Sequence, residues 1–206
     1  MNATAAQSRT WTSADGERTF EASFVQLSGQ EVTVNKGGII RRFNISILSK
    51  ADQKWVTKHA VGKFTKQLSG NISKISNGNY SPSKLTKNPD FYVVYFTANW
   101  WGPCRRAVPQ LVKTYNNKIS TTSNVELIQV SLDKNLSAAK NWATKEKFPW
   151  HTVLHNKIGA SKLDRFKVKA VPTYLLLDKA GKKIASGKNN VFQKVKELST
   201  HNATEE

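Results

Sequence analysis

The sequence contains a single cysteine, Cys104, among its 206 residues. One cysteine excludes an intramolecular disulfide and a cysteine-rich zinc site. Of the four histidines, only His151 and His155 lie close together, and they have no acidic neighbour in the sequence. We therefore expect no metal site and no cofactor, and we expect this histidine pair to lie on the surface of a strand or loop.

Acidic residues are also scarce, since 14 Asp and Glu stand against 32 Lys and Arg, giving a formal net charge of +18. The excess is concentrated in residues 56–206, which hold 25 of the basic and nine of the acidic residues. Such a charge favours anionic partners such as nucleic acid, anionic lipid or polysaccharide. We prefer to interpret it as a solvated cationic surface, because the sequence has no nucleic-acid-binding motif. We expect weak binding to anionic polymers.

Long hydrophobic runs are missing, and no stretch approaches the ~20 apolar residues that a membrane helix needs. The N-terminal residues MNATAAQSRT are small and polar, without the apolar region of a signal peptide. They are compatible with the remnant of a cleaved export signal. This interpretation predicts an exported, periplasmic or envelope-associated protein.

The first ~55 residues alternate between apolar and polar side chains, which predicts three strands of a small antiparallel β structure. The strands are expected over residues 18–27, 31–36 and 39–48. Their inward-facing residues are expected to be Phe20, Ala22, Phe24, Gln26, Val32, Val34, Phe43, Ile45 and Ile47. Ser49 then caps a helix, with Asp52 three residues further on.

Residues ~9–57 resemble the Sla1 homology domain 1. The similarity lies in WTSADG, TFEASFV, the EVTV strand and the closing LSKADQ. This resemblance implies an SH3-like β-barrel over residues 1–57, and bacterial relatives carry such a module in envelope proteins. It implies the fold and not the ligand, so packing against a neighbouring domain remains an equal alternative.

Residues 58–90 are predicted to form a basic connector. Residues 50–68 favour a helix, although Gly62 weakens it. Residues 69–90 are rich in Ser, Asn, Gly and Lys, which is typical of a linker. The segment 56–88 contains six lysines and no acidic residue.

From Phe91 the pattern becomes that of an α/β domain, which we place at residues 91–200. FYVVYFTA and VELIQVSL are continuous apolar runs, as in buried parallel strands. Helices are expected from the turn after the first run to about residue 118, and over 138–148, 161–168 and 191–198. A hairpin around Lys179-Ala180-Gly181 joins two further strands. The order β-α-β-α-(α)-β-β-α predicts a mixed sheet flanked by helices.

This order, with WWGPC after its first strand, resembles the thioredoxin fold. Pro109 lies where the family kinks its active-site helix, and Val171-Pro172-Thr173 lies where the family has a cis-proline loop. The segments FTANW, AVPQL and SLDKN are most similar to the tryparedoxin and nucleoredoxin branch. The resemblance implies a thiol-disulfide oxidoreductase ancestry and places Cys104 at the second cysteine of the motif.

The sequence departs from the family at the attacking cysteine, because the resemblance places Trp101 at that position. In the family this cysteine attacks a substrate disulfide, and the second cysteine releases the product. A dithiol cycle within these 206 residues is therefore impossible. Tyr95 also replaces the buried acid that some thioredoxins use as a proton acceptor.

Three hypotheses follow for the site. In the first, the domain is a redox-degenerate module that binds a protein or peptide partner. In the second, Cys104 acts as a monothiol that can form an intermolecular disulfide, and Arg105 and Arg106 favour its thiolate. In the third, Cys104 only packs in the core. Whether the protein is an enzyme stays open.

The binding hypothesis places a groove between the WWGPC turn and the proline loop. Trp101 should be partly exposed beside Pro172, with Cys104 behind it, whereas Trp100 should pack against the domain. The expected groove residues are Trp100, Trp101, Gly102, Pro103, Val171, Pro172 and Thr173, with Cys104 as the catalytic residue if there is one.

Overall fold

The computed structural model describes residues 8–28, 30–122 and 124–201, with side chains to Leu198. The chain divides into two compact units, residues 1–61 and 62–206. The division falls between Val61 and Gly62, whereas the sequence predicted a module ending at 57 and a separate connector. Most of the N-terminal segment MNATAAQSRT, predicted to be the remnant of a cleaved export signal, lies outside the described residues.

The first unit is a four-stranded antiparallel sheet followed by a helix, with the strands in sequence order. Its elements are β1 (Ser8–Thr12), β2 (Thr19–Ser28), β3 (Glu31–Lys36), β4 (Ile39–Asn44), a 3₁₀ helix (Ile45–Ile47) and α1 (Lys50–His59). A bridge between Ser13 and Leu48 connects the segment after β4 back to the end of β1. As predicted, Ser49 caps α1, accepting a hydrogen bond from the Asp52 amide at 3.2 Å.

Two details of the first unit's strands differ from the prediction. A bulge between Phe24 and Gln26 shifts the alternation by one residue, so Leu27 rather than Gln26 packs against the core. The last strand ends at Asn44, whose side chain accepts from the Ser46 amide and begins the 3₁₀ helix. Ile47 is therefore exposed instead of facing inward.

The second unit is built on a seven-stranded mixed sheet in the order β11-β10-β7-β8-β9-β5-β6. Strands β7, β8 and β9 are parallel, and the remaining pairs are antiparallel. Its elements are α2 (Lys63–Leu68), β5 (Ser73–Ser76), β6 (Asn79–Pro82), β7 (Phe91–Thr97), α3 (Gly102–Thr114) with a π-helical turn (Tyr115–Ile119), β8 (Val125–Ser131), α4 (Leu136–Lys145), β9 (His151–Val153), 3₁₀ turns (His155–Lys157 and Asp164–Phe166), β10 (Thr173–Asp178), β11 (Lys183–Ser186) and α5 (Lys188–His201).

Strand β7 is apolar throughout because both of its faces are covered. Val93 and Tyr95 point into a core formed with α3, α4 and α5. Tyr92, Val94 and Phe96 point into a second core on the other face, where α2 packs. The predicted buried strand is therefore confirmed, and so is its parallel pairing with β8.

The predicted linker over 69–90 is wrong, because it contains the hairpin β5–β6 at the edge of the sheet. Its turn is Asn77-Gly78, both with positive φ (48° and 73°). An Asn-Gly pair is a strong signal for such a turn. The surrounding polar composition concealed this signal, and the hairpin's apolar contacts with the core come from Ile75 and Tyr80.

Three further predictions from the sequence need correction. The helix over 50–68 is interrupted, because α1 ends at His59 and α2 begins after Gly62. The helix over 161–168 is reduced to one 3₁₀ turn. His151 is buried in β9 and hydrogen-bonded to Ser83 at 2.8 Å, not on the surface. Burial lowers the pKa of its imidazole.

Within the described ranges, no helix is long and apolar enough to span a membrane.

Candidate functional site

The candidate site is the turn from β7 into α3. Trp101 is the N-cap of α3, and Pro103 stands in the first turn, where its missing N–H costs no hydrogen bond. The Cys104 amide donates to the Trp101 carbonyl at 3.0 Å. The segment Trp101–Cys104 thus forms the start of a regular helix, and Cys104 lies in its first turn.

Hydrogen bonds to the segment after β8 hold this turn in place. The Asn99 amide donates to Asp133 at 2.8 Å, and the Leu132 amide donates to the Thr97 carbonyl at 2.9 Å. The Ser131 hydroxyl donates to the second oxygen of Asp133 at 2.9 Å. Burial raises the pKa of the Asp133 carboxyl, and these hydrogen bonds partly oppose the shift.

Both tryptophans of the turn lie on the surface. Trp100 is 61% exposed and Trp101 is 45% exposed, with their rings 6.3 Å apart at 63°. The exposure of Trp101 was predicted, but the packing of Trp100 against the domain was wrong. Ala98 fills the buried position at the end of β7, and the tethered Asn99 backbone leaves Trp100 outside the core.

The proline loop faces these two rings. The Val171–Pro172 bond is cis, as predicted, and the Thr173 hydroxyl donates to the Ala170 carbonyl at 2.7 Å. A cavity of about 280 Å³ lies between the loop and the turn. It is lined by Trp100, Trp101, Leu132, Val168, Lys169, Ala170 and Val171. The structure therefore brings three predicted groove residues together, whereas Gly102, Pro103, Pro172 and Thr173 do not line this cavity.

A second cavity, of about 430 Å³, shares Trp100 and Leu132 with the first. It is lined by Asn99, Trp100, Leu132, Asp133, Lys134, Asn135 and Ala138. The residues after β8 were not predicted to belong to the site. The available signal was topological, because the carboxyl ends of adjacent parallel strands meet at one edge of a sheet.

Cys104 lies behind this surface and is 0% exposed. It packs in the core with Tyr95 and Tyr174, whose rings stack 4.6 Å apart. Burial raises the pKa of Tyr95 to about 12 and also raises that of Tyr174. Both hydroxyls therefore stay protonated at neutral pH. Arg105 donates to the Asn99 carbonyl at 2.6 Å.

The described residues contain no cluster of three His, Cys, Asp or Glu side chains that could hold a metal ion. The chemistry of the site therefore rests on one buried thiol and the groups that surround it. Its outer part offers aromatic rings, two cavities and the backbone of the proline loop.

Comparison with known proteins agrees with this geometry. Residues 88–183 match a family model described as thioredoxin-like. Probable nucleoredoxin 1 of Arabidopsis thaliana is 35% identical over 91 residues, which are 43% of this chain and 15% of that protein. Human nucleoredoxin is 32% identical over 93 residues, 44% of this chain and 21% of that protein. The chain therefore covers only a small part of these relatives' length.

A solved mutant of tryparedoxin-I, with alanine in place of a cysteine, has the same fold with a TM-score of 0.50 and 25% identity. The match covers 65% of this chain and 93% of that one. The second unit thus contains a thioredoxin-like domain with a mixed sheet. Within that class, the domain is related to nucleoredoxin- and tryparedoxin-type oxidoreductases.

Proposed function

We propose that the thioredoxin-like domain binds an extended peptide segment of a partner protein and does not carry out a dithiol cycle. The observation that carries this proposal is the pair of exposed rings, Trp100 and Trp101, beside the open cavity of the proline loop. The only thiol lies buried behind them.

The exposed rings favour recognition, because tryptophan is enriched among the residues that dominate binding energy at interfaces. Two adjacent indoles exposed to water form an apolar patch that a partner would cover. Within the described part of the chain, the Val171 backbone forms no hydrogen bond. Its N–H and C=O are available for strand-like pairing with an extended segment.

Selection of displayed twelve-residue peptides on the full chain tests this proposal. Selected peptides should bind the wild type, and Trp101→Ala should weaken them by at least ~30-fold, equivalent to about 2 kcal/mol. Ile184→Ala, which truncates an exposed apolar side chain on β11, is the matched control and should bind as the wild type does. Equal binding by Trp101→Ala and the wild type would refute the proposal.

Monothiol oxidoreductase activity is the second candidate, favoured by the position of Cys104 in the first turn of α3 and by the oxidoreductase-type relatives. In this mechanism the Cys104 thiolate attacks a disulfide such as oxidised glutathione, forms a mixed disulfide and releases one thiol. The buried sulfur must first become accessible. The binding proposal needs no such movement.

For the first unit, we propose an SH3-like barrel of the Sla1 homology domain 1 type. The supporting observations are the four-stranded meander, the 3₁₀ helix after β4 and the Ser13–Leu48 bridge that connects its two ends. An experimentally determined structure of the protein tests this assignment. A sheet that stays open between β1 and Leu48 would count against it.

A further inference from the structure

The two cavities of the candidate site share part of their walls. The cavities of about 280 Å³ and 430 Å³ have Trp100 and Leu132 in common. A segment that occupies both therefore passes over the shared wall formed by Trp100 and Leu132. Because Trp100 is the more exposed of the two indoles, it presents its ring to such a segment.

The walls of both cavities combine apolar surface with positive charge. Val168, Ala170 and Val171 supply apolar surface in the first cavity, and Ala138 does so in the second. Lys169 lines the first cavity and Lys134 lines the second. Each cavity therefore offers a place for one apolar side chain and a cation for one anionic group.

Asp133 is the only acidic residue among those that line the two cavities, and its carboxyl is turned inward rather than presented to a ligand. It is only 2% exposed, and its two oxygens accept hydrogen bonds from the Asn99 amide and the Ser131 hydroxyl. The exposed charge of both cavities is thus positive. An acidic partner meets attraction there, and a basic partner meets repulsion.

The dimensions suit an extended peptide. Side chains at positions i and i+2 of a strand point to the same side and lie about 7 Å apart, which is roughly the width of an indole ring. Two such side chains can enter the two cavities that share Trp100. At about 280 Å³, the first cavity lies near the lower limit for small-molecule sites, which favours single side chains over a large cofactor.

We infer that the partner segment is acidic, with two apolar side chains at i and i+2 that enter the two cavities and with carboxylates that pair with Lys134 and Lys169. This inference rests on the proposed peptide-binding function and specifies its ligand. The lysines select the partner by charge, and the indoles supply the apolar contact.

The test uses the same peptide library on the full chain, followed by affinity measurement for the leading peptide by fluorescence anisotropy. The selected peptides should be enriched in Asp and Glu around an apolar pair at i and i+2. The double variant Lys134→Glu/Lys169→Glu should weaken binding by at least ~10-fold, and a peptide with lysines in place of its acids should bind this variant better than the wild type. Lys182→Glu/Lys183→Glu, which makes the same charge change at the β10–β11 turn, is the control and should bind the acidic peptide as the wild type does.

The outcomes distinguish a failure of the peptide-binding function from a failure of the inference that the bound peptide is acidic. If Trp101→Ala binds the leading peptide as the wild type does, the peptide-binding function itself fails. If Trp101→Ala loses binding but the selected peptides lack acids, only the inference about charge is overturned. Equal weakening by the two lysine double variants also overturns it, because the effect would then come from net charge alone.

Discussion

The two sides of the β7–α3 turn differ in their exposure to solvent. On the outer side, Trp100 and Trp101 lie in water beside the proline loop and two open cavities. On the inner side, Cys104 is fully buried against Tyr95 and Tyr174. The two sides are separated by only a few residues of chain.

Under the proposed peptide-binding function, this difference separates recognition from thiol chemistry in the domain. The outer side depends on exposed rings and backbone groups, which need no thiol. The inner side contains the thiol but keeps it from solvent, and thiol chemistry requires access as well as a thiolate. The proposed binding surface therefore does not depend on the thiol.

The largest expected effect concerns access to the thiol. In the native protein, Cys104 should react with an aromatic disulfide reagent at least ~100-fold more slowly than in denaturant, because reaction requires the core to open. The rate is followed by the absorbance of the released thiolate. Comparable rates in both states would show that the inner side is open and would favour the monothiol mechanism.

A smaller effect should distinguish the two sides by stability. Cys104→Ala should lower the free energy of unfolding by about 1 kcal/mol, because it leaves a small cavity in a packed core. Trp101→Ala should change it by less than about 0.5 kcal/mol, as for surface substitutions. Urea unfolding of both variants provides the values, and the reverse ranking would contradict the assignment of inner and outer sides.

The smallest effect concerns Asp133, which anchors the turn. Burial raises the pKa of its carboxyl in the folded state, so the folded state holds the proton more tightly than the unfolded state does. The contribution of Asp133 to stability is thus fully present below the ordinary pKa near 3.8 and is lost as the pH rises through the raised value. Asp133→Asn removes this titration, so its stability relative to the wild type should increase from pH 3.5 to pH 7. A decrease over that range would contradict the sign of the shift.

The sequence predicted the elements whose patterns are local and strong. The continuous apolar run of β7 indicated burial on both faces within a few consecutive residues. The single cysteine excluded an internal disulfide directly. The turn and the cis bond were instead implied by the resemblance of WWGPC and Val171-Pro172 to a known family.

The parts that failed depend on tertiary packing. The exposure of Trp100 follows from the anchoring of Asn99 by Asp133, and these two residues are 34 positions apart. The β5–β6 hairpin is connected to the core by few apolar side chains, and His151 is buried beside Ser83, which is 68 positions away in the sequence. Export and weak binding to anionic polymers stay predictions, because nothing in the structure tests them.

The most direct test of the account is disulfide reduction with insulin as substrate and dithiothreitol as reductant. The wild type should be no faster than dithiothreitol alone, whereas Trp101→Cys should accelerate the reaction at least ~10-fold, because the new thiol stands at the N-terminus of α3 with Cys104 available to resolve the mixed disulfide. Trp101→Ser is the control for loss of the indole and should remain inactive. Catalytic reduction by the wild type, with dithiothreitol or with glutathione, would contradict the central claim and identify Cys104 as a working nucleophile.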